Sequence, residues 1–237
     1  MRHMGKRLGA LALALLLTLG LAACGGGVTE KDVTVYIQGE MDAYYHGQYN
    51  EDYLKLMEYT EDKAKEFYDG NVEAEAERLL TFMDVQYVDD SVQAAAEEAV
   101  RQIYAKSKFT VGDTNKLKDG NFTTEVTVEP IEMMHLITEE DIQEIFYNIC
   151  VNAGYDTYEK LTELQSANED AYNQLELEYA NQVLARVTEC VSQITYGTPQ
   201  SVMLQMKLDD ENNYILEDNG WQTMDGYIID YNSYYMT

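Results

Sequence analysis

The 237-residue sequence predicts an α+β fold, with helices packed on a small antiparallel sheet. Three observations carry this. Apolar residues recur at intervals of three and four through most of the chain, the spacing of an amphipathic helix. The spacing switches to two around residues 108–129 and again after Pro199, where strands are expected. Between the helical and strand-like stretches, a segment near residue 98 matches one near residue 189 without a gap, which predicts two related helix-plus-hairpin halves, 29–130 and 131–237.

The chain opens with Arg2, Lys6 and Arg7, then an apolar run from Leu8 to Ala23. This is the charged and apolar layout of a secretory signal, residues 1–23. Sixteen apolar residues rise only about 24 Å as a helix, short of a hydrocarbon core of about 30 Å. The run ends in "LAAC", Leu21 to Cys24, followed by Gly25. These residues resemble the bacterial lipobox. The resemblance implies cleavage before Cys24 and lipid attachment to its sulfur, with residues 24–28 as lipidated cysteine and glycine tether. Each buried methylene contributes about 0.8 kcal/mol, so two or more acyl chains would hold the protein on the outer face of the cell membrane.

After the tether, Thr29 is placed to cap a helix through "TEKDVTVYIQGEMDAYYHG", with Val33, Ile37, Met41 and Tyr45 four apart and Gly47 as its end. Asn50 and Thr60 cap two more, Leu79, Leu80 and Met83 mark a further helical face, and Ser91 opens "SVQAAAEEAVRQIYAKS" with a stripe through Val92, Ala96, Val100 and Ile103. "KFTVG" (Lys108 to Gly112) and "NFTTEVTVEP" then form a hairpin across Asp119-Gly120, with Phe122, Thr124, Val126 and Val128 on one face. Reading "DTNKLKDG" as this hairpin connection, and not as a calcium loop, follows from Lys118 standing where such a loop needs glycine.

Past Pro130 the programme restarts. Thr138 caps a helix with Ile142, Ile145, Phe146 and Ile149 on one face, ending at Gly154. Helix continues from about Asp156 to Ile194 with a break near "SANED". "SVMLQMKL" and "NYILEDNGWQTMDGYIID" return to strand, the second with Asn219-Gly220 and Asp225-Gly226 read as turns flanking a Trp221 hairpin. The internal match sets Glu98, Val100, Gln102, Ile103 and Val111 on Glu189, Val191, Gln193, Ile194 and Val202.

Composition narrows the function. The full chain carries 16 Lys and Arg against 43 Asp and Glu; loss of Arg2, Lys6 and Arg7 with the signal takes the charge from −27 to −30. Such a surface is unsuited to nucleic acid, whose binding needs neutralised phosphates. It favours a basic or cationic extracellular partner, or serves solubility alone. No GxSxG, HExxH, SxxK or glycine-rich phosphate loop occurs. His46 at a helix end and His135 before the Thr138 cap are read as structural, so no metal and no cofactor is expected. Cys150 and Cys190 each share a helix face with apolar residues and read as buried free thiols, with a disulfide as the alternative. The 20 tyrosines read chiefly as residues at the edge of the core, although tyrosine-rich surfaces also suit binding.

The lipobox, "YIQGEMDAYY", "FTVGD", "VTVEPI" and the Trp221 segment together resemble uncharacterised lipoproteins of Gram-positive bacteria, and the helices-then-sheet order is similar to cystatin-like or NTF2-like folds. The helical length between the two hairpins departs from one NTF2-like unit, leaving two related halves or one elaborated unit as alternatives. The resemblance carries over no site residue except Cys24. The expected function is a membrane-anchored, non-catalytic binding or accessory module. A small-molecule carrier or enzyme with an NTF2-like pocket between sheet and helices is the alternative. A transporter's solute-binding protein fits poorly, because the chain lacks repeated βα alternation.

Overall fold

A computed structural model describes residues 27–209 and 213–232. The predicted signal and Cys24 lie outside the described residues. Among those described, the fold is α+β. Helix α1 (Glu30–Met41) runs into a π-helical turn (Asp42–His46), followed by α2 (Glu51–Met57), α3 (Glu61–Phe82), α4 (Asp90–Tyr104), β1 (Lys108–Lys116), β2 (Phe122–Glu129) and β3 (Ile131–Glu132). A 3-10 turn (Met134–Leu136) leads into α5 (Glu139–Asn152), α6 (Tyr158–Ala167), α7 (Glu169–Val191), β4 (Thr195–Tyr196), β5 (Gln200–Leu208), β6 (Tyr214–Leu216) and α8 (Asp218–Asp225).

The helix starts follow the capping chemistry. Thr29 and Thr138 each form a capping box, with Asp32 and Asp141 returning a carboxylate to the cap residue's backbone N–H. Asn50 Oδ1 accepts from the Tyr53 N–H at 2.8 Å, and Thr60 Oγ1 from the Lys63 N–H at 3.2 Å. The helix expected to begin at Ser91 begins one residue earlier. Asp89 is its cap, since its Oδ1 accepts from both the Ser91 and Val92 N–H groups, at 3.0 and 2.9 Å. Leu79 and Leu80 belong to the Thr60-capped helix and not to a separate one, because one internal glycine, Gly70, is too weak a breaker to end a helix of 22 residues.

The chain divides into two compact units. The first comprises the described residues up to Glu66, Lys108–Glu129 and Pro199–Ile228; the second comprises Phe67–Ser107, Pro130–Thr198 and the residues from Ile229.

In the first unit the strands form one antiparallel sheet in the order β1-β2-β5-β6. Strand β1 runs past Gly112, where its prediction ended, because a bulge between Val111 and Thr114 absorbs the irregularity and pairing resumes to Lys116. Phe122, Thr124, Val126 and Val128 are all buried, as the alternation requires. Thr124 stays satisfied there through a hydroxyl chain, 2.7 Å to Thr114 and 2.8 Å on to Thr34 of α1, which joins helix to sheet.

The expected Trp221 hairpin is instead the helix α8. Asn219 and Gly220 lie inside it, and Gly226 caps its end. Gly220 serves a close approach: a side chain there would meet Leu204 Cδ2 at 3.3 Å and the Met203 carbonyl at 3.4 Å, so glycine lets α8 settle on β5. Trp221 lies edge-on to Tyr44 with centroids 5.4 Å apart, and the Tyr45 hydroxyl donates to Asp225 Oδ1 at 2.7 Å.

The second unit is mainly helical. Val92, Ala96, Ala99, Val100 and Ile103 bury the predicted face of α4, which packs on α7. Helices α5 and α6 also pack on α7, and β3 pairs antiparallel with β4. Arg186 of α7 donates to the Leu136 carbonyl at 2.9 Å, fixing the 3-10 turn ahead of α5.

Candidate functional site

The second unit contains a cleft of about 460 Å³, walled by α5, α6, α7 and the segment Asp84–Gln86 that follows α3. Its origin lies in an incompletely covered apolar face. Of the predicted α5 stripe only Ile149 is buried outright; Ile142, Ile145 and Phe146 remain half-exposed, and Ile142 and Phe146 line the cleft. Tyr147 and Tyr158 stand at its rim, 61% and 84% exposed.

Two local devices hold the walls. After α3 the chain reverses at Asp84, whose φ of +55° is left-handed, while the Val85 N–H returns to the Leu80 carbonyl at 3.0 Å. Across from it, Tyr179 of α7 donates its hydroxyl to the Met83 carbonyl at 2.6 Å and meets the Phe146 ring edge-on at 5.5 Å. The α5–α6 connection turns at Gly154, φ +90°, after which Thr157 caps α6.

Glu176 of α7 lies against this cleft, 3% exposed. The Tyr172 hydroxyl and the Gln86 backbone N–H lie near its carboxylate and favour the ionised form. Burial pushes its pKa above the ordinary carboxylate range, against the lowering effect of those two donors, and the nearby Asp84 charge adds to the rise. Burial, then the neighbouring Glu176 carboxylate, raise the Tyr172 phenol. The Cys150 thiol, also lining the cleft, is raised by burial and then by Glu176. The other acids of the lining are Asp84, which accepts from Gln86 Nε2 at 2.5 Å, and Asp156, paired with Lys160 Nζ at 2.5 Å. The lining contains no Lys, Arg or His.

The residues weighed from sequence lie elsewhere or contribute differently. Cys24 is outside the described residues. His46 stacks on Phe109 with centroids 5.0 Å apart, its Nδ1 4.0 Å from Asp42, at the end of the π-helical turn. His135 sits in the 3-10 turn. Among the described residues no group of three His, Cys, Asp or Glu is arranged to hold a metal. Cys150 and Cys190 are both free and buried. Glu176 and Tyr172 were not singled out from sequence. Their signal was a glutamate on the apolar stripe that runs through Tyr172, Tyr179 and Val183 of α7.

A second buried carboxylate, Glu40 of α1, lies in the first unit. The Tyr53 hydroxyl donates to it at 2.8 Å, and the fully buried Tyr36 hydroxyl beside it has no hydrogen-bond partner.

Among the described residues no helix is long and apolar enough to cross a membrane. No protein-family model matches the chain, and no curated protein matches it. Among solved structures, a candidate lipoprotein of Bacillus subtilis, YcdA, is similar, with a TM-score of 0.53 at 16% identity over 84% of this chain and 56% of that one. The chain thus spans little more than half of that protein's length. At this identity the likeness is one of fold.

Proposed function

We propose that the protein is an extracytoplasmic lipoprotein, anchored through Cys24 to the outer face of the cell membrane, that acts as a non-catalytic binding module. The observation that carries the binding role is the cleft beside Glu176, of a volume that small-molecule sites commonly have and lined by aromatic rings interleaved with carboxylates and amides. Anchoring is supported by the lipobox-like "LAAC" and by the lipoprotein naming of the structural neighbour.

The carrier alternative gains from the cleft too, since it holds an acid and a tyrosine, Glu176 and Tyr172. The cleft lies among helices, whereas the NTF2-like pocket would lie between sheet and helices. Binding is favoured over turnover because the lining offers no cationic side chain to stabilise developing negative charge. A duplicated organisation in halves 29–130 and 131–237 belongs to the same reading, supported by β1 and β5 flanking β2 in one sheet.

The test is fractionation of cells expressing the chain or its Cys24→Ser variant, with metabolic labelling by a fatty acid. The native chain should be labelled and membrane-bound, and the variant unlabelled and released or unprocessed. A labelled, membrane-bound serine variant would defeat the anchoring. Turnover of a cell-wall, peptide or lipid substrate, abolished by one Asp, Glu or Tyr change that leaves the fold intact, would replace the binding module with an enzyme.

A further inference from the structure

We infer that the cleft of the second unit takes a small organic cation, a primary ammonium carried on an apolar body, with its N–H groups directed at Glu176. This rests on the binding-module reading and names its ligand.

The argument begins with what Glu176 lacks. An ionised carboxylate offers about four lone-pair sites. Glu176 has two neutral donors in its neighbourhood, Tyr172 and the Gln86 N–H, and no Lys, Arg or His among the described residues forms an ion pair with it. A buried acid without a cationic partner is costly unless something else compensates it.

The surroundings select the class of ligand. An anion entering the cleft would meet Glu176 and Asp84 with no positive side chain in the lining. A neutral apolar occupant would cut Glu176 off from the remaining water and leave its free acceptor sites unfilled. An ammonium group fills them, and its charge offsets that of the carboxylate. The rings of Phe146, Tyr147 and Tyr158 lie in the same lining, suited both to an apolar body and, through their faces, to a cation. At about 460 Å³ the space admits a molecule of one ring with a short amine-bearing arm.

The experiment is calorimetric titration of the full chain, purified in non-ionic detergent, with phenethylamine and with its neutral counterpart 2-phenylethanol. Phenethylamine should bind at least tenfold more tightly. Glu176→Gln should reduce that preference to within about threefold while leaving 2-phenylethanol unchanged, with thermal unfolding confirming that the variant folds. Should Glu176→Gln not fold, Tyr147→Ala, at an exposed position, carries the test and should weaken the amine at least threefold. Equal binding of the two probes, binding of neither, a preference that survives a folded Glu176→Gln, or an amine affinity unmoved by Tyr147→Ala overturns the inference. Such a failure leaves the lipid anchoring standing, because the fate of Cys24→Ser is read separately.

Discussion

The Tyr53 hydroxyl donates a 2.8 Å hydrogen bond to Oε1 of Glu40, and both side chains are buried. The bond links α2 to α1 and gives Glu40 a hydrogen-bond donor. Burial outweighs that donor, and the Glu40 carboxyl is pushed up to about 7. In the unfolded chain the same group titrates near 4.5.

The folded state therefore holds a proton between about pH 4.5 and 7 that the unfolded state has lost. Stability from this group is complete below the lower value and declines as pH rises through the upper one. The loss is on the order of 3 kcal/mol, at about 1.4 kcal/mol for each tenfold change in proton activity. Urea unfolding measured from pH 4.5 to 8 should show this decline, and Glu40→Gln, which stays neutral, should flatten it. A pH profile unchanged by Glu40→Gln would mean that the carboxyl titrates normally in the fold.

Two tyrosines beside Glu40 should respond in opposite directions. The Tyr36 hydroxyl is buried without a partner, a state that costs roughly 1–3 kcal/mol, so Tyr36→Phe should raise stability by about 1 kcal/mol. Tyr53→Phe removes the donor to Glu40 and should lower stability by about 1–3 kcal/mol. Chemical denaturation of the two variants decides it. A destabilising Tyr36→Phe would show that its hydroxyl has a partner, such as an internal water.

The parts of the fold legible in the sequence are those fixed within a few residues. Thr29, Asn50, Thr60 and Thr138 start their helices because a side-chain oxygen reaches an N–H two or three positions on. Asp119-Gly120 turns the β1–β2 hairpin for the same local reason, with Gly120 at φ +92°. Asn219-Gly220 misled because the role of Gly220 is set at a distance, by Leu204 and Met203 of β5. Glu176 was visible only as a charge on an apolar stripe. That α5 and α6 leave a cleft beside it depends on Asp84 reversing the chain after α3, about ninety residues earlier.

The two free thiols offer a further check. Burial is the leading cause of the raised pKa at both Cys150 and Cys190, so both should react slowly with a disulfide reagent at neutral pH. Cys150 borders the cleft, whereas Cys190 is completely buried, so Cys150 should be the faster of the two. Reaction should show two slow phases in the native chain, the faster lost in Cys150→Ser and the slower in Cys190→Ser. Both thiols reacting at the rate seen in denaturant would contradict their burial.

Gly39 and Gly70 both lie inside helices, and intrinsic propensity alone predicts that alanine stabilises each by about 1 kcal/mol. Their surroundings differ. A side chain at Gly39 would stand 2.2 Å from Cδ2 and 2.3 Å from Cγ of the Tyr53 ring, whereas one at Gly70 would meet nothing within 4 Å. The Tyr53 ring cannot retreat without giving up its bond to Glu40, so the overlap must be relieved by separating α2 from α1. Overpacking of this kind costs roughly 1–3 kcal/mol or more and should exceed the gain in propensity. Gly39→Ala is therefore expected to lower the unfolding free energy by about 2 kcal/mol, and Gly70→Ala to raise it by about 1 kcal/mol. Denaturation midpoints of the two single variants give opposite signs if α1 and α2 pack as described; a stabilising Gly39→Ala would place the Tyr53 ring elsewhere.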